Sequence, residues 1–350
     1  MHAPMLRLHS RRTIGPTSPT FVVAELGQNH NGSLELAEQL VDAAAWAGAD
    51  AVKLVKRNLP SELTKAAGNR RYDSAHSFGD TYGEHRRALE LSIESHLALA
   101  ARARSHGLHF VVTVCDIPSA REFAAAEVDA FKIASRDLNN LPLVRFVAEL
   151  QKPLILSTGM SSWAEIDAAM RVTAEARCPT AVLQCTSLYP TPDAEAHLRS
   201  IETLRRRYDT VVGFSDHTEG TVIATSAVAL GASIIEKHLT LDRTLKGTDH
   251  ACSAEPEELR VLIEQVRRVE RALGSAEKPA IAATEATRNK LGRSLVTVRP
   301  LPAGTVLEES MFTLKSPGDG IAWTQRSAIV GRRLVRDIDA DETIYRNDVQ

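Results

Sequence analysis

Eight short runs rich in β-branched residues, most of them followed by a helix-like pattern, predict a closed (β/α)8 barrel of the TIM type in this 350-residue chain. The runs start mostly 21 to 30 residues apart, the spacing that strand–helix–strand units require. Beyond Gly274 the character changes to short strands and Pro/Gly turns, which predicts a small β-rich domain at the C-terminus. An open doubly wound sheet is the competing arrangement, but the glycine-rich GxGxxG first turn it needs is absent.

The first 19 residues carry Arg7, Arg11 and Arg12 and no apolar stretch of the secretory type. A cytoplasmic location is expected, with an organelle-transit segment as the lesser reading. Strands are expected at 21–26, 51–55, 109–114, 130–135, 153–158, 180–187, 210–216 and 233–240. After the first, Ser33 is placed to cap a helix whose Leu34, Ala37, Leu40, Val41 and Ala44 share one face. "SSWAEIDAAMRVTAEA" and "EPEELRVLIEQVRRVERALG" repeat that pattern. The polar, poorly periodic stretch 56–90 follows the second strand, where a long loop is expected to cover an active site. The barrel is assigned to 1–275, a linker to 276–290 and the small domain to 291–350. Within the last, "VRPLPAGTVLEESMF" and "VRDIDADETIYRNDV" form a weak repeat, which suggests a two-fold pseudo-symmetric module. Sixty residues make a marginal core, so this domain is expected to pack against something else.

Forty-two basic against 44 acidic residues leave a formal charge of −2, which favours neither nucleic acid nor an anionic membrane as partner. No apolar run approaches the roughly 20 residues needed to span a bilayer. The cysteines, Cys115, Cys178, Cys185 and Cys252, form no CxxC pair and read as buried, reduced thiols.

In a barrel, residues at the C-terminal ends of the strands form the catalytic face. The run "FVVAELGQNHNG" takes a buried-looking strand straight into Glu25 and a string of amides. The other strands end in the same way: Lys53, Thr113, Lys132 with Ser135, Ser157, Ser187, Ser215 with Asp216 and His217, and Glu236 with His238. A lone polar residue of this kind is usually a satisfied core group; the clustering at strand ends is what points to a site. Two lysines and several hydroxyls suit an anion carrying both phosphate and carboxylate. His217 and His238, closing adjacent strands, are placed to share one divalent ion. Glu25 is read as a group that moves protons, in preference to a salt-bridge partner of Lys53 or Lys132.

The segments "AELGQNHNG", "AGADAVKL", "FKIAS", "LSTGM", "CTSLYPTP", "GFSDHTEG", "ALGASIIEKHLTLDR" and "GTDHACS" resemble the sialic acid (N-acetylneuraminate) synthase family, which condenses phosphoenolpyruvate with N-acetylmannosamine or related sugars. "GRSLV" and "SPGDGI" resemble the antifreeze-like module of that family, also called a SAF or β-clip domain. The resemblance implies a transferase of the C–C bond-forming class and a homodimer in which one subunit's small domain covers the other's active site. It places Glu25 and Asp137 among the catalytic groups. Lys53, Thr113, Lys132, Ser135, Ser157, Ser187 and Ser215 stand at positions that hold phosphoenolpyruvate. Tyr189 and Asp249 stand in the sugar site. His217 and His238 stand at the ligands of a divalent metal ion, manganese or else magnesium or cobalt.

The departures fall mainly in the sugar half. Val55 stands where the family has glutamine, Ser316 where it has arginine, Ser187 where asparagine is common, and Asp137 where it has glutamate. The family's "STPF" becomes "TVCD" here, which places Val114 and Cys115 beside Thr113. An acceptor other than N-acetylmannosamine is therefore a live alternative. A pyruvate aldolase with Lys132 as Schiff-base lysine, and a non-catalytic ligand-binding or ice-binding protein on a dead barrel, are the remaining alternatives.

Overall fold

The computed structural model describes residues 4–10, 12–278 and 282–350. It divides at Gly274 into two compact units. Arg11, counted above in the basic N-terminal stretch, and residues 279–281 of the expected linker lie outside the described residues.

The first unit is built on eight parallel strands closed into a barrel. In chain order they are Phe21–Gly27, Ala51–Lys56, His109–Val114, Ala130–Ile133, Leu154–Ser157, Thr180–Cys185, Val211–Asp216 and Ile234–His238. Each pairs with its sequence neighbours, and the eighth pairs with the first to close the ring. The fourth, fifth, sixth and eighth strands stop short of their expected ends, so Ser135, Thr158, Ser187 and Thr240 lie beyond them.

The pleat sends alternate side chains to opposite faces, and both faces are apolar through most of the barrel. Outward residues such as Val22, Val52, Phe110, Phe131 and Leu156 pack under the helices. The helix Leu34–Ala47 shows why: Ser33 Oγ accepts from Leu36 N at 3.2 Å, Gly48 ends it at φ 84°, and Ala37, Leu40, Val41 and Ala44 are buried. Leu34, expected on the same face, is 36% exposed. A helical side chain lies over the turn before its own position, and Leu34 opens the helix.

Inward residues form a second apolar cluster of Phe21, Val23, Ala51, Val111, Ala130, Ile155, Ala181, Leu183, Val211 and Ile234. Its floor is closed by a feature the sequence did not announce. Leu6–Arg7 pairs antiparallel with Thr13–Ile14, and Leu6, Leu8 and Ile14 join this inner cluster at 2% exposure or less.

The stretch 56–90 is more ordered than its sequence suggests. It contains the short helices Leu59–Glu62, Lys65–Gly68 and Tyr82–Ala88, the last opened by a capping box between Thr81 and Glu84. Among the described residues, no helix is long and apolar enough to cross a membrane, and all four cysteines are buried and free.

The second unit holds its own core of Leu295, Leu301, Leu307, Met311, Phe312, Ile321, Ile329, Leu334, Ile338 and Ile344. The expected linker is partly helical, with Glu285–Leu291 forming a short helix. The weak repeat is a true structural two-fold. Leu301 and Ile338 exchange backbone hydrogen bonds of 2.8 and 2.9 Å. The bond from Leu307 N to Arg332 O, 2.9 Å, has its counterpart from Ile344 N to Leu295 O, 3.0 Å.

Candidate active site

Moving up each strand by two residues takes the barrel interior from apolar to polar. Val23 gives way to Glu25, Ala51 to Lys53, Val111 to Thr113 and Ala130 to Lys132; Ile155 gives way to Ser157, Leu183 to Cys185 and Ile234 to Glu236. On the seventh strand Ser215 follows Gly213, where an added Cβ would meet Ile234 O and Leu183 Cδ2 at 2.5 Å, so the crowded barrel admits only glycine. All eight polar side chains are at most 5% exposed.

These groups neutralise one another. Lys132 Nζ donates to both oxygens of Glu236 at 3.0 Å, and Ser215 Oγ donates to Glu236 Oε1 at 2.9 Å. Lys53 Nζ is ion-paired with Glu25, stands 3.7 Å from Glu236 and donates to Thr113 Oγ1 at 2.9 Å. The Glu25–Lys53 pair, the lesser expectation from sequence, is thus present, yet it does not settle the charge of Glu25. Burial outweighs Lys53 and raises the Glu25 carboxyl to about 7. Burial also opposes ionisation of Glu236, but Lys132 and Lys53, aided by the hydrogen bonds, hold it down at about 2. Two carboxyls of one buried layer are therefore driven in opposite directions.

Beside this layer stand the two histidines, with ring centroids 5.3 Å apart. His217 Nδ1–H donates to Thr186 O at 2.9 Å, which leaves its Nε2 to face a ligand. Cys185 Sγ lies 3.9 Å from the same Nδ1, and the Tyr189 ring lies beside the imidazole, tilted by 33° with centroids 4.1 Å apart. His238 Nδ1 is buried with no hydrogen-bond partner among the described residues. Burial lowers His238 to about 3, so it keeps the neutral form that binds metals. Gly27, at φ +51°, leaves open the place where a Cβ would lie 3.1 Å from Glu25 Oε1 and 3.4 Å from His238 Cε1. Two facing imidazoles, one with an orphaned nitrogen, fit a divalent ion. Among the described residues, no set of three or more His, Cys, Asp or Glu side chains is grouped to hold one, so the protein would supply only part of the coordination shell.

The polar layer forms the base of a cavity of about 680 Å³. Glu25, Lys53, Thr113, Lys132, Ser135 and Ser157 line it, as do Ser187, Tyr189, Ser215, His217, His238 and Asp249. Ser157 Oγ is buried and has no protein partner among the described residues. Two expected residues do not reach the cavity. Asp137, on the turn Ser135–Asp137, is drawn to Arg136 at 3.2 Å. Asp216, next to Ser215 and so on the opposite face of its strand, pairs outside the barrel with Lys237 at 2.8 Å. Glu236, counted with His238 at its strand end but given no role from sequence, lines the cavity too, two places before His238 and so on a shared face. The cavity also gathers residues that sequence reasoning did not single out. Gln28, Arg57, Arg86 and Arg136, with Tyr72, His76, Tyr82 and His85, carried no such signal.

The NeuB family model matches residues 40–278, and the SAF domain model matches residues 292–350. The N-acetylneuraminate-9-phosphate synthase of Mus musculus is 36% identical over 347 residues, covering 99% of this chain and 97% of the relative. The N,N'-diacetyllegionaminic acid synthase of Campylobacter jejuni is 34% identical, covering 93% of this chain and 98% of the relative. Among solved structures, the N-acetylneuraminic acid synthetase of Leptospira borgpetersenii in complex with citrate aligns with a TM-score of 0.72 at 33% identity, covering 82% of this chain and 96% of that one.

Proposed function

The chain belongs to the NeuB family and ends in a SAF domain, and from that premise we propose that it is a phosphoenolpyruvate-dependent synthase. It joins phosphoenolpyruvate to a sugar aldehyde and yields a 3-deoxy-2-ulosonic acid of the sialic acid type plus inorganic phosphate. The observation that carries this reading is the buried layer in which Lys53 and Lys132 stand among hydroxyls at the base of one cavity.

Phosphoenolpyruvate brings a carboxylate and a phosphate, and Lys53 and Lys132 offset that charge in a site where water cannot. Thr113, Ser135, Ser157, Ser187 and Ser215 offer hydroxyl donors to the phosphate, Ser157 Oγ being free to do so at once. His217 and His238 would hold a divalent metal ion, whose charge supplies Lewis-acid polarisation of an aldehyde oxygen. C3 of phosphoenolpyruvate forms a bond to the aldehyde carbon, water adds at C2, and the C2–O bond breaks as phosphate leaves. Glu25, poised near neutrality and paired with Lys53, orients that water and takes or returns its proton. Arrival of the anion favours a proton on Glu25, which frees Lys53 to turn to the substrate.

N-acetylmannosamine or a related aldose is the proposed acceptor, and the proposed assembly is a homodimer whose small domains each cover the partner's cavity. Phosphate release from phosphoenolpyruvate across a panel of aldoses tests the reaction, and sedimentation tests the assembly. The aldolase alternative draws on Lys132, which burial holds below the usual lysine range. Borohydride trapping of the chain with pyruvate would favour it; phosphate release from phosphoenolpyruvate rejects it.

A further inference from the structure

The barrel face turned to the helices is apolar through most of its height, and on the seventh and eighth strands Val212, Phe214 and Ile235 keep to that pattern. Asp216 and Lys237 break it. They are register partners on those two strands, 0% and 1% exposed, and Lys237 Nζ donates to Asp216 Oδ2 at 2.8 Å. Neither lines the cavity, and the chemistry above uses neither. Stability is a weak reason for such a pair, because an apolar pair of similar volume in its place is often neutral or better.

Its contacts supply another reason. All three hydrogen-bonding groups of Thr218, itself fully buried, are tied to this pair. Thr218 N and Oγ1 donate to Asp216 Oδ1 at 2.9 and 2.7 Å, and Thr218 O accepts from Lys237 Nζ. Residues 216 and 218 are thus fixed on either side of His217, the first residue past the seventh strand. The same lysine precedes His238, whose ring faces the cavity while the ammonium faces the other way. One ion pair therefore anchors the chain beside both imidazoles from behind. On the loop side, His217 O accepts from Thr191 N at 2.8 Å and its Nδ1–H donates to Thr186 O at 2.9 Å. Among the described residues no third side chain joins the two histidines to hold an ion, so nothing else from the protein would correct an error in their spacing.

Resting on the metal reading above, we infer that Asp216 and Lys237, acting through Thr218, are positioning residues for the divalent-ion site. They set the distance between His217 and His238 and the direction in which each ring faces.

The test titrates manganese alone into the full chain by calorimetry, in the wild type, in the double variant Asp216→Asn with Lys237→Met, and in Val266→Ala. The double variant removes both charges together, so neither is left buried and unpaired. Val266, fully buried on the last barrel helix, Pro256–Leu273, is the control that loses stability alone. Manganese binding should weaken by about tenfold or more in the double variant, the scale for groups that orient a metal's ligands, and stay unchanged in Val266→Ala. Thr218→Val cuts one tie, should weaken binding about fivefold, and covers the event that the double variant does not fold. Wild-type affinity in whichever of these variants folds overturns the inference, as does an equal loss in Val266→Ala; either result leaves the histidine pair standing as the metal site. If the wild type binds no manganese, the metal reading fails, and the His217 Nδ1–H proton decides the positioning role by magnetic resonance of histidine-labelled protein. A signal that is sharp in the wild type and Val266→Ala but broadened or lost in the double variant or Thr218→Val supports it; a signal unchanged in all of them overturns it.

Discussion

Lys132 Nζ holds both carboxylate oxygens of Glu236 at 3.0 Å. Because Lys53 lies 3.7 Å from the same carboxylate, one acid faces two buried cations. Removing it should be felt in both stability and substrate binding. Glu236→Gln is expected to cost about 3–5 kcal/mol of unfolding free energy, the scale for stranding a buried ion. A denaturation midpoint within error of the wild type would show that the layer is not electrostatically closed.

For the lysines the expected losses are kinetic. Lys53→Ala and Lys132→Ala should each lower kcat/KM for phosphoenolpyruvate by the equivalent of about 2–4 kcal/mol. Unchanged kinetics in both variants would remove them from the substrate's path.

The histidine pair sets up a metal test with two readouts. His217→Ala should weaken manganese binding in calorimetry and nearly abolish turnover, while chelator-treated wild type should recover activity on adding the ion back. Full activity of the chelated variant would rule the pair out as the metal site.

Glu25 gives a pH signature. Its carboxyl rises from 4.5 to about 7 in the folded chain, so between those values the folded state holds a proton that the unfolded state has released. Stability due to this group therefore falls as pH rises through the window. His238, lowered from 6.5 to about 3, works the other way, because there the unfolded state holds the proton. Comparing Glu25→Gln with the wild type isolates the first effect. The variant should gain on the wild type between pH 4.5 and 7, by about 3 kcal/mol in all. A difference that stays flat with pH would mean that Glu25 ionises normally.

N-acetylmannosamine itself should be a poor acceptor. Val55 lines the cavity where the family's glutamine amide is expected, and Ser316 carries no charge. Of the donors available to replace the missing arginine, Lys315 is paired with Asp341, and Arg326 is paired with Glu309 at 2.7 Å. Arg293 donates to Ser316 Oγ at 2.8 Å and is the nearest replacement on that domain. Each lost contact is worth about 1–3 kcal/mol. Competition between N-acetylmannosamine and other aldoses at fixed phosphoenolpyruvate decides the matter: clear preference for N-acetylmannosamine would sink this expectation and keep the parent reaction.

The barrel was legible because both faces of its strands are buried, which writes each strand as a dense apolar run ending in a polar residue. Lys53, Lys132 and His238 could be picked out for that reason. Orientation was harder, since neighbours such as Ser215 and Asp216, or Glu236 and Lys237, part to opposite faces only once the register is known. That is why Glu236 was counted at the rim without a role of its own, and Asp216 was counted there although its side chain leaves the barrel. The arginines were illegible for another reason: Arg57, Arg86 and Arg136 meet only because separate connections fold over one cavity, and no spacing records that. The N-terminal ribbon was missed because strands of two residues have no periodicity to detect.

That ribbon also fixes which way the molecule can be held. Leu6 and Ile14 fasten the ribbon to the floor of the barrel, at the opposite end from the ionic layer. A fluorophore or other probe placed on that ribbon sits at the floor and leaves the cavity mouth turned toward the solution. Attachment at the exposed side of that ribbon, such as Arg7, should thus present every molecule in the same productive orientation, provided it leaves the apolar grip of Leu6, Leu8 and Ile14 intact.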